Sequence, residues 1–285
     1  MAKADFHNHS TASDGKLTPT QLIDLAASRG VKIFALTDHD STEGIAEARA
    51  AAAKHDGFFL IPGVELSTDI EGDEVHMLGY FTFEMLQNAD LQAELTEFRA
   101  GRFERGRLMT EKLNALGKPI RWERVMEIAG EASVGRPHVA QALVEAGHVA
   151  TIPDAFDRLI GRNGPAYVER EKMTPLQAIK TLHKYGAPAV FAHPSFTKSF
   201  DDVVPALVEA GLAGMEVYYK NYDAEMVRTL AAKAAKYGLL PLGGSDYHAL
   251  NNPGEREPGD IPLPDHIAKE FLEKELPWVP TGALS

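Results

Sequence analysis

Histidines and acidic residues recur in this chain of 285 residues at spacings that suit metal binding. The first pair, His7 and His9, lies in the run ADFHNH. Alternate side chains of an extended strand point to the same side, so both imidazoles can reach one ion. Further candidates follow at or near the ends of other apolar runs: Asp14, His39, Glu65, His76, His193, Asp246 and His248. Imidazole and carboxylate ligands without sulfur suit Mn, Fe or Zn in hydrolytic sites.

Nine candidate ligands are too many for one ion. At three or four protein ligands per ion they suffice for two or three divalent cations, with Glu65 as a shared bridge. Three carboxylates against three such ions leave a formal charge of about +3 before any bound hydroxide is counted. A pocket with this surplus attracts polyanions. Divalent ions also ionise bound water near neutral pH, which suits a hydrolytic site.

The elements that must position these side chains are short apolar runs, which alternate with Ala-rich helical stretches as in parallel βα units. Predicted strands cover 4–9, 33–38, 58–65, 74–80, 189–194, 215–219 and 240–246. Seven strands could close into a barrel or lie in an open sheet. Because the candidate ligands follow the carboxyl ends of nearly all of them, we favour an α/β fold, a distorted (β/α)₇ barrel with its site at that end.

Two predicted helices carry clear start and stop signals. The segments Thr18–Gln21 and Thr174–Gln177 each combine an N-cap Thr, a Pro at the first helical position and a capping-box Gln. Gly30 and Gly186 follow as stops. These signals place helices directly before the second and fifth predicted strands.

Residues 99–172 break the alternation and read as amphipathic helices without a confident strand. We predict a barrel domain of residues 1–98 and 173–285, with 99–172 as a helical insertion, or cap, over the carboxyl-terminal mouth. Residues 99–124 carry eight Lys or Arg against three Glu. Either this is an ordinary solvated face or it binds phosphate groups. The candidate substrate contacts are Arg99, Arg102, Arg105, Arg136, Lys198 and Lys220.

The composition excludes several classes of protein. A net charge of −12 disfavours an extended basic surface that coats nucleic acid. The absence of cysteine excludes disulfides and thiolate chemistry. No apolar run has the length of a membrane span or a signal peptide. We expect a cytoplasmic protein with a small-molecule substrate, no membrane association and no stable protein partner.

The ordered motifs ADFHNHSTASDG, LTDHD, IPGVE, FAHP and GGSDYH, together with His76, resemble the PHP (polymerase and histidinol phosphatase) family of metal-dependent phosphoesterases. The resemblance implies a trinuclear centre that holds two to three divalent ions, with Mn²⁺ first and Fe²⁺ or Zn²⁺ as alternatives. The implied ligand sets are His7, His9, Glu65 and Asp246 for one ion, Glu65, His76 and His193 for a second, and Asp14, His39 and His248 for a third.

Three features resemble one branch of that family, which contains 3′,5′-nucleoside bisphosphate phosphatases and 5′-to-3′ exoribonucleases. They are the segment 10–15, the helical insertion and the GRPH motif at 135–138. The branch implies removal of the 3′-phosphate of adenosine 3′,5′-bisphosphate (pAp) to give AMP. Our candidate catalytic residues are His193 and Asp246, and either His193 or a hydrogen-bonded Arg could assist the leaving oxygen. Two alternatives stay open: a 5′-to-3′ exonuclease acting on short RNA or DNA oligomers, and a non-catalytic metal-binding domain.

Overall fold

The computed structural model describes residues 1–71, 73–130, 132–169, 173–250 and 254–284. The chain divides into two compact units. One is formed by Met1–Gln92 with Met173–Ser285, and the other by Ala93–Lys172. Across the ranges described, no helix is both long enough and apolar enough to cross a bilayer.

Within the described ranges, seven strands of the first unit form one sheet in sequence order. They are β1 (Ala4–Asp5), β2 (Ile33–Leu36), β3 (Phe59–Ile70), β4 (Asp73–Tyr80), β5 (Ala189–Phe191), β6 (Gly214–Tyr219) and β7 (Leu240–Gly244). The chain that continues β1 runs beside β7: Asp246 N donates to His7 O at 2.8 Å, and His9 N donates to Tyr247 O at 3.0 Å. A Cβ at Gly244 would collide with His7, so glycine permits this approach. The sheet is nearly closed, and the predicted distorted α/β barrel is confirmed.

Strand β4 departs from the predicted parallel pattern. It pairs antiparallel with both β3 and β5, whereas the other neighbouring strands are parallel. The cause is the short connection, since Ile70 pairs with Asp73 and no crossover helix fits between them. The reversal places His76, near the start of β4, opposite Ser67 in the last third of β3. His76 therefore lies at the end of the barrel where the parallel strands finish.

Helices of the first unit follow the predicted punctuation. They are α1 (Pro19–Ser28), α2 (Ile45–Ala52), α7 (Pro175–Lys184), α8 (Phe200–Glu209), α9 (Ala224–Tyr237) and α10 (Asp265–Glu275). The capping boxes at Thr18 and Thr174 are both formed, with each threonine hydroxyl accepting from the backbone N–H of the glutamine three residues on. Gly30 and Gly186, just beyond these helices, adopt positive φ angles of 82° and 77°.

The core of the barrel holds the strand that leads into the first candidate ligands. The rings of Phe6, Tyr80 and Phe271 meet edge-on, with centroids 5.7–6.2 Å apart. Tyr80 Oη donates to Phe6 O at 3.0 Å, which gives the buried hydroxyl a partner. Phe6 is thus fixed in the apolar interior, and His7 follows it directly.

The second unit is helical and has a hydrophobic core of its own. Its helices are α3 (Ala89–Ala115), which begins in the first unit, α4 (Trp122–Ala129), α5 (Arg136–Glu145) and α6 (Ile152–Ala155), the last continued by a π-helical turn at Phe156–Ile160. Val125, Val139 and Leu143 are among its buried residues. The predicted insertion began at residue 99, whereas the compact unit begins at Ala93. Positions 131 and 170–172 of the predicted insertion lie outside the described residues.

Candidate metal centre

The carboxylate of Glu65 lies at the centre of the candidate ligands. Glu65 is buried in β3. Its Oε2 atom lies 2.9 Å from His39 Nδ1 and 3.2 Å from the Nε2 atoms of His7 and His9. Among the described residues this oxygen accepts no hydrogen bond. A buried carboxylate oxygen without a donor, surrounded by imidazole nitrogens, is an arrangement that a bound cation completes.

The other oxygen of Glu65 meets two further histidines. Its Oε1 atom lies 2.8 Å from His76 Nδ1 and 2.9 Å from His193 Nε2. His76 reaches it from β4 because that strand is reversed, and His193 reaches it from the turn after β5. Glu65 therefore has imidazole nitrogens on both oxygens, as a bridging ligand requires.

Glu65 Oε2 belongs to a buried set of four residues. The ligand atoms of His7, His9, Glu65 and Asp246 all lie within 4.8 Å of one another. The Nε2 atoms of His7 and His9 face each other at 3.0 Å, and Asp246 Oδ1 lies 3.5 Å and 3.2 Å from them. Two imidazole nitrogens so close repel unless a proton or a cation lies between them. The set matches the first ligand set that the resemblance implies.

Two more groups adjoin it. His9, Asp14, His39 and His248 form one group within 4.8 Å, and His39, Glu65 and His76 form another. His248 Nε2 lies 3.3 Å from Asp14 Oδ1. These groups differ from the implied sets, because His9 joins the third set and His39 stands where the second has His193. All nine predicted residues lie in one connected cluster, and their division among individual ions stays a prediction.

Charge and burial act in opposite directions on the titration of these side chains. Burial disfavours the charged imidazoles, but the surrounding carboxylates outweigh it. They raise the pKa of His9 to about 9 and that of His7 well above its ordinary value. Burial likewise disfavours charged carboxylates, but the imidazoles around them hold the pKa values of Asp14, Glu65 and Asp246 well below the usual range. For Asp246 the ammonium of Lys220 lowers the pKa most, ahead of the imidazoles. Cations that bind here replace protons on the imidazoles.

The two carboxylate oxygens of Asp246 have different partners. Tyr219 Oη donates to Oδ2 at 2.5 Å, and Lys220 Nζ donates to the same atom at 2.8 Å. Burial, followed by the nearby carboxylate, raises the pKa of Tyr219 well above its ordinary value, so the phenol stays a donor. The Oδ1 atom remains directed at His7 and His9.

Asp38 shapes the loop that carries Asp14. Ser10 N and Ser13 Oγ donate to Asp38 Oδ1 at 2.7 Å and 2.6 Å, and Ser10 Oγ donates to Oδ2 at 2.7 Å. Three hydrogen bonds to one buried carboxylate hold the segment after β1 against the end of β2. This loop directs Asp14 toward His248.

Comparison with known proteins identifies the family of the chain that forms this cluster. The family model of the PHP domain matches residues 5–245. The chain belongs to the PHP domain family. This PHP protein is 36% identical over 251 residues to the 5′-3′ exoribonuclease Rnm of Salmonella typhimurium, a match covering 86% of this chain and 84% of that relative.

Two further comparisons bear on the PHP assignment. The 3′,5′-nucleoside bisphosphate phosphatase of Chromobacterium violaceum is 35% identical over 260 residues, covering 90% of this chain and 89% of the relative. A solved structure from Bifidobacterium adolescentis, provisionally named a metal-dependent phosphoesterase, has a TM-score of 0.84 and 30% identity and covers 96% of both chains. The predicted family is confirmed, and the donor set fits divalent cations.

The predicted substrate contacts fall into both units of the PHP protein. Lys220 lies at the cluster, against Asp246. Lys198 is exposed in the turn that follows Phe196. The four predicted arginines lie in the second unit, on α3 and at the start of α5: Arg99, Arg102, Arg105 and Arg136.

Two of these arginines have contacts inside their own unit. Arg105 Nε donates to Val168 O at 2.8 Å. The guanidinium of Arg136 lies over the Phe156 ring, 5.4 Å from its centroid. A role of the four arginines in binding phosphate stays a prediction.

Two residues near the cluster escaped the sequence analysis. Glu216, fully buried in β6, accepts hydrogen bonds from His7 Nδ1 and His193 N. Its only signal is an acid within the otherwise apolar strand MEVYY. Phe196, in the turn after His193, has 62% of its surface exposed. One sequence carries no signal that distinguishes such an aromatic residue from a core residue.

Proposed function

We propose that this protein hydrolyses the 3′-phosphate of 3′,5′-nucleoside bisphosphates, converting pAp and water into AMP and inorganic phosphate. The observation that carries the proposal is the convergence of nine histidine and acidic side chains in one cluster, which contains the donor-free oxygen of Glu65. The Chromobacterium violaceum relative with this activity, 35% identical over 90% of the chain, supports the choice of substrate. A cytoplasmic location is part of the same proposal.

The cofactors we propose are two to three divalent cations, with Mn²⁺ preferred and Fe²⁺ or Zn²⁺ as alternatives. The nine residues that would hold them are the histidines and acids of the cluster. When bound, such ions polarise phosphoryl oxygens and ionise water near neutral pH. The donor set contains no sulfur, which suits these ions in hydrolytic sites.

Charged and titratable side chains of the protein act beside the proposed cations. The departing 3′-oxygen develops negative charge as the phosphorus–oxygen bond breaks. Lys220, whose ammonium lies 2.8 Å from Asp246, brings a positive charge to this edge of the cluster. His193 and Asp246 are the catalytic residues we propose, since both lie at the cluster and both approach its shared carboxylate or its paired imidazoles.

An exposed aromatic surface supports a nucleotide over a small phosphorylated metabolite. The ring of Phe196 lies 5.5 Å from that of His193 and 5.9 Å from that of Tyr219, measured between centroids. An exposed ring beside the cluster can stack on a nucleobase. The imidazole of histidinol phosphate is much smaller than a purine and offers less surface for stacking, so this exposed ring favours a nucleoside substrate.

The second phosphate of the substrate needs cationic groups of its own. We assign it to Arg99, Arg102, Arg105 and Arg136 of the helical insertion, together with Lys198, with the insertion acting as a cap. Guanidinium groups bind phosphate oxygens through paired, charge-assisted hydrogen bonds. Binding energy from the 5′-phosphate would position the 3′-phosphate for reaction.

The alternative is a 5′-to-3′ exonuclease, which the name of the Salmonella typhimurium relative favours. The test compares kcat/KM of the Mn²⁺-loaded protein on pAp and on a 5′-phosphorylated RNA trinucleotide. We expect pAp to be preferred by at least tenfold. A preference for the trinucleotide would assign the chain to the exonuclease. No turnover of either compound, or of p-nitrophenyl phosphate, would favour a non-catalytic metal-binding domain.

A further inference from the structure

Glu216 is a buried carboxylate that belongs to none of the ligand groups. It lies in β6 between Met215 and Val217 and is fully buried. Burying a carboxylate is strongly unfavourable unless hydrogen bonds satisfy its oxygens. Here each oxygen accepts from a different member of the metal cluster. Oε1 accepts from His7 Nδ1 at 3.1 Å, and Oε2 accepts from His193 N at 2.6 Å.

The first contact determines which nitrogen of His7 can bind a cation. A carboxylate oxygen only accepts, so the proton of the bond resides on Nδ1. The other nitrogen, Nε2, then faces Glu65 Oε2 at 3.2 Å and Asp246 Oδ1 at 3.5 Å. A carboxylate behind a ligand histidine fixes both its tautomer and its ring orientation in this way.

The second contact stabilises an unusual backbone turn. His193 has φ 32° and ψ 57°, a left-handed conformation that residues with a Cβ rarely adopt. Its N–H donates to Glu216 in a short hydrogen bond to a charged acceptor. The turn brings His193 Nε2 to 2.9 Å from Glu65 Oε1. The conformation that aims this ligand is therefore supported by the same carboxylate.

We propose that Glu216 is a positioning residue that sets the tautomer of His7 and the backbone turn at His193, and thereby orients two candidate ligands that contact different oxygens of Glu65. It belongs to none of the ligand groups formed by the described residues. The proposal holds for any reaction of this metal centre and does not depend on which phosphate ester is the substrate.

The test begins with Glu216→Gln, which preserves size but offers one acceptor and one donor, so it cannot accept from both His7 and His193. Metal-free protein is titrated with Mn²⁺ while the free ion is followed by electron paramagnetic resonance. We expect Glu216→Gln to bind at least two Mn²⁺ ions with affinities weakened by about tenfold or more. Glu216→Asp, which keeps two acceptor oxygens, should recover part of the affinity.

Asp73→Asn is the matched control. Asp73 is a buried acid of the same barrel, and its Oδ2 accepts from Ser199 N and Oγ, each at 3.1 Å. It belongs to none of the ligand groups formed by the described residues. The asparagine variant should bind Mn²⁺ as the unaltered protein does.

A second measurement reads the tautomer directly. Ring ¹⁵N spectra of the Zn²⁺-loaded unaltered protein should show His7 with its proton on Nδ1. A proton on Nε2 would overturn the proposal. So would undiminished Mn²⁺ binding by Glu216→Gln, or weakening at one position alone. If Glu216→Gln does not fold, the spectrum of the unaltered protein decides.

Discussion

At the scale of single residues, the cluster depends on carboxylates that each meet several imidazoles. Asp14 shows the pattern in its simplest form. Its Oδ1 lies 3.3 Å from His248 Nε2, and its Oδ2 lies 3.7 Å from His39 Nε2. Both histidines also contact other members of the cluster, so the loss of Asp14 removes one candidate ligand and leaves the other sets in place.

We therefore expect Asp14→Ala to lower the metal content by about one ion per chain and kcat by a hundredfold or more, while the fold is retained. Metal content is measured by mass spectrometry after reloading with Mn²⁺, and the fold by circular dichroism. Asp24→Ala is the control, because Asp24 also pairs with a histidine, His55 at 2.7 Å, but on the exposed surface. Unchanged metal content in Asp14→Ala would remove Asp14 from the ligand set.

The raised pKa values of His7 and His9 predict how cation binding depends on pH. At pH 7 the metal-free protein holds protons on these imidazoles, because the carboxylates around His9 raise its pKa to about 9. Binding must displace these protons, so Mn²⁺ affinity should rise between pH 6 and about pH 9. Calorimetry in two buffers of different ionisation enthalpy should record proton release at pH 7. Uptake, or no exchange of protons, would contradict the prediction.

The same shift affects the stability of the metal-free protein. A histidine whose pKa is higher in the folded state than in the unfolded chain contributes its full stabilisation at pH values below the unfolded pKa. For His9 this contribution is lost as the pH rises through about 9. Thermal unfolding of the chelated protein at pH 7 and pH 9 should show lower stability at pH 9. Bound Mn²⁺ should remove that difference.

At the scale of elements, the turn after β5 carries both a candidate ligand and a candidate base contact. His193 immediately precedes the turn Pro194–Phe196, and Phe196 is the last residue of that turn. A base stacked on Phe196 is worth about 1–3 kcal/mol. We expect Phe196→Ala to raise KM for pAp by about tenfold and to leave KM for ribose 3,5-bisphosphate, which lacks a base, nearly unchanged.

Leu176→Ala is the control for loss of exposed apolar surface, since Leu176 on α7 is also exposed. It should leave both KM values unchanged. Equal effects of Phe196→Ala on the two substrates would assign Phe196 to the structure of the turn rather than to base recognition.

The elements also show how far a sequence predicts a site. Strands, capped helices and the cluster of candidate ligand histidines could be predicted because local signals mark each of them: apolar runs, Thr-Pro-x-Gln starts, and polar residues at strand ends. The reversal of β4 could not, because β3 extends through Ser67, Thr68 and Asp69, whose polar side chains resemble a loop in sequence although all three are buried. The direction of β4 depends on where β3 ends, because the short connection after Ile70 makes β4 run back antiparallel.

Glu216 illustrates a second limit. Its partner His7 is 209 positions away in sequence, and only closure of the barrel brings the two together. Local patterns identify candidate ligands, because their types recur in motifs. A residue that orients a ligand from behind carries no such pattern and is found only when packing is known.

At the scale of the whole molecule, charge is distributed unevenly. The chain has a net charge of −12, yet eight basic residues lie between positions 99 and 124, against three acidic ones. Some of these basic residues are engaged by neighbouring acids: Arg124 donates to Glu145 at 2.7 Å and to Glu127 at 2.9 Å. The positive charge of Arg124 is therefore already neutralised by two glutamates. Kinetic measurements can distinguish such an arginine from one that binds substrate.

Arg136 and Arg124 form a matched pair for that measurement, since both lie in the helical unit. If Arg136 binds the 5′-phosphate, Arg136→Ala should raise KM for pAp by about tenfold, the value of a charge-assisted hydrogen bond of roughly 1.5 kcal/mol. KM for 3′-AMP, which lacks the 5′-phosphate, should change less than twofold because no contact is lost. Arg124→Ala should alter neither value, since its guanidinium already binds two carboxylates. Equal increases for pAp and 3′-AMP would mean that Arg136 supports the structure, and that the second phosphate is held by other residues.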